Sequence, residues 1–122
     1  MSDRHESYDP DCIFCRIAAG EAEADVVHAT DHLVAFRDLT PRAPVHVLLI
    51  PREHLSSLKA VRERHAGMLA DLMVSATHVA RAEGLERRGW RLVTNVGSDA
   101  GQTVPHLHFH LLGGRQMGWP PG

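Results

Sequence analysis

Apolar and polar positions divide this chain into short apolar runs near the start, one long amphipathic stretch in the middle, and two more short runs near the end. Asp11 is placed to cap a short helix from Cys12 to about Ala19, which Gly20 closes. Val26–Ala29 and Leu33–Phe36 have the length and composition of strands, and Thr30-Asp31 between them predicts a hairpin. Pro41 and Pro44 punctuate a loop over 38–44. Val45–Ile50, dense in branched residues, predicts a third strand that Pro51 ends. From about Val61 to Glu83, Leu69, Leu72, Met73, Ala76, Val79 and Ala80 recur at three- and four-residue steps. Arg62, Glu63, Arg64, Asp71 and Arg81 fall mostly off that stripe, which is the pattern of an amphipathic helix. Gly84 suits the position just past its end. Trp90–Asn95 reads as a fourth strand, 97–101 as a glycine-containing loop, and His106–Leu112 as a fifth strand. Strands outnumber helices and do not alternate with them, which predicts an antiparallel α+β domain.

Composition narrows this further. At 122 residues the chain fits one domain, and 43 % hydrophobic residues can form a core without staples. A formal net charge of −2 gives no basic field for nucleic acid. No apolar run approaches the roughly 20 residues of a membrane span. Residues 1–10 are polar, lack a signal-peptide core, and read as a flexible tail on a cytoplasmic protein. Two cysteines are too few for a secreted disulfide scaffold. Ten histidines is a high count, so their placement matters. His78, on the long helix with no partner pattern, is given no role.

That placement is most informative in His106-Leu107-His108-Phe109-His110-Leu111-Leu112. On a strand the three histidines share one face, with neighbouring rings roughly 6–7 Å apart, while Leu107, Phe109 and Leu111 share the other. A lone histidine on a strand is usually a plain surface residue. Strict alternation after a glycine-containing loop points instead to a site. An imidazole can attack through its lone-pair nitrogen if its N–H is held. His108, flanked on both sides, is the best-placed nucleophile, and His110 a group to bind a phosphate oxygen. Backbone N–H groups of Gly101-Gln102-Thr103 can cradle an anion, and the Thr103 hydroxyl can reach a leaving group. Alternating histidines can also ligate one metal, and on the alternation alone the two readings stand level. Cys12-Ile13-Phe14-Cys15 has metal-ligand spacing, yet a lone pair falls short of the four ligands zinc takes. Two buried structural cysteines are the plain alternative, and a redox pair lacks its usual βαβ context.

These residues resemble the signature of the histidine triad nucleotide-binding proteins. The likeness extends to 97–104 before the triad and to Gly113-Gly114-Arg115-Gln116-Met117-x-Trp119-Pro120-Pro121-Gly122 after it, which resemble the Hint branch. Upstream, Ala35-Phe36-x-Asp38, Pro41-x-Ala43-Pro44-x-His46 and Ile50-Pro51-x-x-His54 also fit. The resemblance covers roughly residues 12–122. It implies a single domain over 11–122 with a five-stranded antiparallel sheet, one long helix and one short helix. It also implies a homodimer whose sheets join into a ten-stranded one, with the long helix near the interface. The implied activity is hydrolysis of nucleoside 5′-phosphoramidates, or of acyl and aminoacyl adenylates, through a nucleotidylated histidine. The product would be a purine nucleoside monophosphate such as AMP, and no catalytic metal is required.

Carried over by position, His108 is the nucleophile, His110 contacts the α-phosphate, and His46 supports them from the adjacent strand. Thr103 serves the leaving group. Asn95, Gly101, Gln102, Thr103 and Val104 surround the phosphate, Asp38 holds the ribose hydroxyls, and Phe36 with Leu39 walls the base. Trp119 approaches the partner subunit's site. Read without the resemblance, Asp38 is a turn acid, Phe36 and Leu39 are core, and Asn95 caps a turn. Bacterial members with this CxxC resemble a zinc-binding subgroup, which implies a structural zinc on Cys12, Cys15, His54 and His106. Pro105 and Gly118 depart from the animal pattern, where an aromatic and a histidine are common. Competing readings are a dinucleoside polyphosphate hydrolase, a nucleotide-sensing protein-interaction module, and a plain zinc-binding protein. None of them involves nucleic acid or a membrane.

Overall fold

The computed structural model describes residues 3–122. Its elements in chain order are α1 (Ile13–Ala18), β1 (Val26–Ala29), β2 (Leu33–Arg37), β3 (Val45–Pro51), α2 (Ala66–Ala82), β4 (Trp90–Val93) and β5 (Phe109–Gly113). The strands form a single antiparallel sheet in the order β1-β2-β3-β5-β4. The expected α+β architecture, five antiparallel strands with one long and one short helix, is the one observed. The last strand in sequence is inserted between β3 and β4, so the histidine run enters the middle of the sheet. Register then sets Leu48 opposite His110 and His46 opposite Leu112.

The central strands are apolar on both faces because both faces are covered. Leu33, Ala35, Val47 and Leu49 join Leu72, Ala76, Val79 and Ala80 of α2 in one core. Val34, Phe36, Leu48 and Ile50 point the other way and pack on Cys12, Phe14, Cys15 and Ala18 at α1. The period-two alternation of a strand thus serves two helices at once. Leu107, Phe109 and Leu111 belong to the α2 side, which leaves the histidines on the α1 side.

Several boundaries differ from expectation. Asp11 does not cap α1; Cys12 does, its Sγ accepting the Cys15 N–H at 3.3 Å. The long helix starts at Ala66 rather than Val61. Residues 58–60 and 63–65 form 3₁₀ turns, and the buried His65 ring accepts the Arg62 N–H while facing Glu53 through Nε2. Its C-terminal stop is as expected, with Gly84 at φ +77°. β4 ends at Val93 and β5 begins only at Phe109. The His106–His108 backbone bonds to loops instead of a ladder: Leu107 N–H donates to the Leu55 carbonyl at 2.6 Å, and the His108 carbonyl accepts from Thr94 Oγ1 at 2.8 Å. Inside–outside alternation survives without regular strand geometry.

The described part of the segment read as a flexible tail lies against the domain. Arg4 forms a two-pronged pair with Glu21, the Tyr8 hydroxyl reaches the same carboxylate, and Ser7 Oγ accepts the His54 N–H at 2.7 Å. Met1 and Ser2 lie outside the described residues.

Candidate metal centre and active site

The α1 side of the sheet holds two corners that share the histidine run. In the first, Cys12 and Cys15 from α1 meet His54, just past β3, and His106. Nδ1 of His106 lies 3.3 Å from Cys12 Sγ, 3.6 Å from Cys15 Sγ and 3.2 Å from His54 Nδ1, and Cys15 Sγ lies 3.2 Å from His54 Nδ1. All four donor atoms fall within 4.8 Å of one another. A tetrahedral zinc with N and S ligands needs donor separations of about 3.3–3.8 Å. His106 Nε2–H donates to the Pro51 carbonyl at 2.9 Å, so the lone pair is on Nδ1, which faces the cluster. Burial holds the His106 ring down to about 4 and the Cys15 thiol up to about 11, so without a cation these two groups are neutral at pH 7. The donor set, spacing and fixed tautomer all fit a structural zinc.

The second corner begins two residues along. His108 Nδ1 lies 2.7 Å from the His106 carbonyl, which can only accept. The hydrogen is therefore on Nδ1 and the lone pair on Nε2. Phe14 stands edge-on to the ring, centroids 5.1 Å apart, and fixes its plane. A second chain of bonds sets His110. The Arg42 backbone N–H donates to His46 Nδ1 at 3.0 Å, so His46 carries its hydrogen on Nε2. Nε2 is 2.9 Å from His110 Nδ1, with Asp38 Oδ2 3.4 Å away as a lesser acceptor. His110 accepts at Nδ1 and must carry its own hydrogen on Nε2. Burial pushes His110 down to about 4, with His108 and His46 adding to it, and lowers His46 despite Asp38. Both rings are neutral at pH 7. His108 then presents a lone pair, and beside it His110 presents a donor.

Asp38, His46 and His110 are also close enough to hold a metal ion. Their bonding opposes this, because His46 Nδ1 is occupied by a backbone N–H and its Nε2 carries hydrogen rather than a lone pair.

Two cavities meet here. The smaller, about 270 Å³, is lined by Phe36, Leu39, Leu48, Val104 and His108. The larger, about 730 Å³, is lined by His46, Asn95, Gly101 and three arginines, Arg42, Arg91 and Arg115. Asp38, Thr103 and His110 line both. Phe36 is buried in the wall, whereas Leu39 stands at the rim, 97 % exposed. Gln102 faces its own loop: its amide accepts from Gly97 and donates to the Ser56 and Val104 carbonyls. The N–H groups of Gly101 and Gln102 close the same turn. Among the described residues, those of Thr103 and Val104 have no acceptor and remain available to an anion. Trp119 lines neither cavity and is 81 % exposed. The sequence reading missed Ile13, Phe14 and Ile17 in the wall of the smaller cavity. For Ile13 and Phe14 the signal was the apolar pair inside the CxxC, which in the sequence argues only against a redox pair; Ile17 lies one turn on from Ile13.

The HIT domain model matches residues 19–117, a span that begins after the two cysteines. A 14 kDa zinc-binding protein of Brassica juncea is 48 % identical over 114 residues, covering 92 % of this chain and all of that one. Adenylylsulfatase HINT1 of Arabidopsis thaliana is 47 % identical over 116 residues, covering 93 % of this chain and 78 % of that one. The crystal structure of a HIT family hydrolase from Legionella pneumophila superposes with a TM-score of 0.89 at 49 % identity, covering 92 % of this chain and all of that one.

Proposed function

This chain belongs to the HIT domain family, and from that premise we propose that it is a purine nucleotide-binding hydrolase of the Hint type. It cleaves nucleoside 5′-phosphoramidates or acyl adenylates to the nucleoside monophosphate. The observation that carries the reading is the bond from His108 Nδ1–H to the His106 carbonyl, which leaves Nε2 as a lone-pair nitrogen in the wall of the cleft. Nε2 attacks the α-phosphorus. The phosphorus–nitrogen bond breaks, and the amine leaves with the bonding pair and takes up a proton. His110 Nε2–H and the backbone N–H groups of Thr103 and Val104 offset charge on the phosphoryl oxygens. Thr103 lies on the leaving-group side. Water then attacks the same phosphorus, which frees His108 and releases the monophosphate. Phe36 and Leu39 receive the base and Asp38 the ribose hydroxyls.

Cys12, Cys15, His54 and His106 hold a structural zinc, which ties α1 to the histidine run and takes no part in the reaction. Two free thiols beside two imidazoles suit a reducing, cytoplasmic compartment. Among the described residues no helix is long and apolar enough to cross a membrane. β4 is an edge strand with Trp90 partly exposed, which supports pairing of two chains into a ten-stranded homodimer. Trp119 is then free to approach the partner's cleft. Sedimentation at micromolar concentration tests this, and a monomer refutes it.

A second substrate class is favoured by Arg42, Arg91 and Arg115. Among the described residues none of them pairs with a carboxylate; Arg91 and Arg115 bond only to backbone carbonyls. An anionic leaving group, such as the sulfate of an adenylyl sulfate or a second nucleotide's phosphates, fits that side. The deciding experiment follows AMP release from adenosine 5′-phosphoramidate and from adenylyl sulfate by wild type and His108→Ala. Turnover by wild type alone supports the assignment. Undiminished turnover by the variant overturns the nucleophile, and no turnover by either overturns the enzyme.

A further inference from the structure

We propose that the zinc centre and the nucleotide pocket are coupled: metal bound at Cys12, Cys15, His54 and His106 tightens nucleotide binding, and nucleotide tightens metal binding. This rests on the functional reading above and extends it to how that site is regulated.

Two links join the corners. The first is α1, whose six residues are far short of the length at which a helix holds itself together in water. Cys12 caps it and Cys15 lies one turn on, so both ends of its first turn are tied to the metal centre. From that turn Phe14 reaches across to Phe36 and His108, with ring centroids 5.6 and 5.1 Å away, and Ile13 and Ile17 line the base-side cavity. The helix that supplies half the metal ligands also supplies a wall of the pocket. Without metal its hold rests on apolar packing, weak thiol–imidazole contacts of Cys12 and Cys15 with His106 and His54, the bond from Arg52 to the Ala18 carbonyl, and a few main-chain bonds at its C-terminal end. The second link is His106, which offers its ring to the metal and its carbonyl to His108 at 2.7 Å. The ring bond at Nδ1 and the main-chain bond are parts of one wholly buried residue, so loosening one loosens the other. Coupling of this kind is reciprocal: the factor by which metal changes nucleotide affinity is the factor by which nucleotide changes metal affinity.

The test titrates AMP, by calorimetry, into zinc-loaded and chelator-stripped full-length protein, with circular dichroism to confirm folding. In parallel, AMP is titrated into cobalt-substituted protein while the cobalt d–d absorption is recorded. Stripping should weaken AMP binding about 10-fold. AMP should shift the cobalt band, saturating at the dissociation constant that calorimetry gives, and Phe14→Ala should reduce the shift at saturating AMP while keeping one metal per chain. Should the stripped protein unfold, the cobalt titration decides. AMP heat without any cobalt shift, or equal affinity within twofold for folded stripped protein, overturns the coupling alone. Absence of AMP binding to the metal-loaded protein overturns the functional reading instead.

Discussion

The metal corner and the reacting corner are built from the same residue type, two positions apart, and differ in which ring nitrogen the backbone captures. At His106 the Pro51 carbonyl takes Nε2–H, so the lone pair on Nδ1 faces two thiols and a second imidazole. At His108 the His106 carbonyl takes Nδ1–H, so the lone pair is on Nε2, at the opposite side of the ring. At His110 the capture is by His46, a donor, and the ring becomes a donor at Nε2. The run thus yields a ligand, a nucleophile and a hydrogen-bond donor. Neighbouring carbonyls and one relay histidine, rather than residue identity, assign the roles.

The sharpest way to break this contrast is the same substitution on each side of it. His108→Ala should lower AMP release by about 10³-fold or more, because among the described residues no other ring lining the cleft has a lone pair free of an intramolecular donor. At saturating zinc it should still hold one metal per chain. His106→Ala should lose zinc and fall in melting temperature by roughly 10 °C, since a lost structural metal costs several kcal/mol and a chain of this size shifts about 2–5 °C per kcal/mol. Metal analysis and calorimetry read both. Full zinc occupancy in His106→Ala would remove that residue from the metal corner.

A smaller effect separates His110 from its relay. His46→Ala deletes the N–H that fixes the His110 tautomer but leaves the nucleophile in place. The expected loss is about 10- to 100-fold in kcat with KM little changed. His46→Gln, whose amide can still donate to His110 Nδ1, should recover part of it. Equal rates for the two variants would show that the ring acts by filling space alone.

The contrast itself was only half legible in the sequence. Strict alternation of 106, 108 and 110 with apolar residues gave the face, and the Cys-x-x-Cys gave a donor pair. The capture of ring hydrogens depends on carbonyls of Pro51 and His106 that only the fold brings into range. Local pattern also set the sheet and the Gly84 stop correctly. It failed where side chains bond to the backbone: His65 holds residues 62–65 out of the long helix, and the Leu107–Leu55 bond keeps the run from starting as a strand. Cys12 displaced Asp11 as cap because burial of its thiol with His106 turns the chain inward there. The role of Phe14 was not legible, since its contacts with Phe36 and His108 span distant parts of the chain.

The mildest test concerns protons and uses the reacting corner against itself. Burial holds His110 at about 4 and lowers His46, while in the unfolded chain both titrate near the usual ~6.5. Between those values the unfolded chain binds protons that the folded chain refuses. More protons on the unfolded side means that unfolding becomes easier as pH falls, so the stability these two rings contribute should decline from about pH 6.5 towards pH 4, where lowered carboxylates such as Glu53 and Asp71 continue the decline. Comparing His110→Asn with its parent at equal zinc loading isolates one ring, because the amide has no such titration. Thermal unfolding from pH 7.5 to pH 4 should give the variant a shallower slope of melting temperature against pH. Superimposable slopes would mean that His110 takes up its proton as readily in the fold as in the open chain, and the relay through His46 would lose its basis.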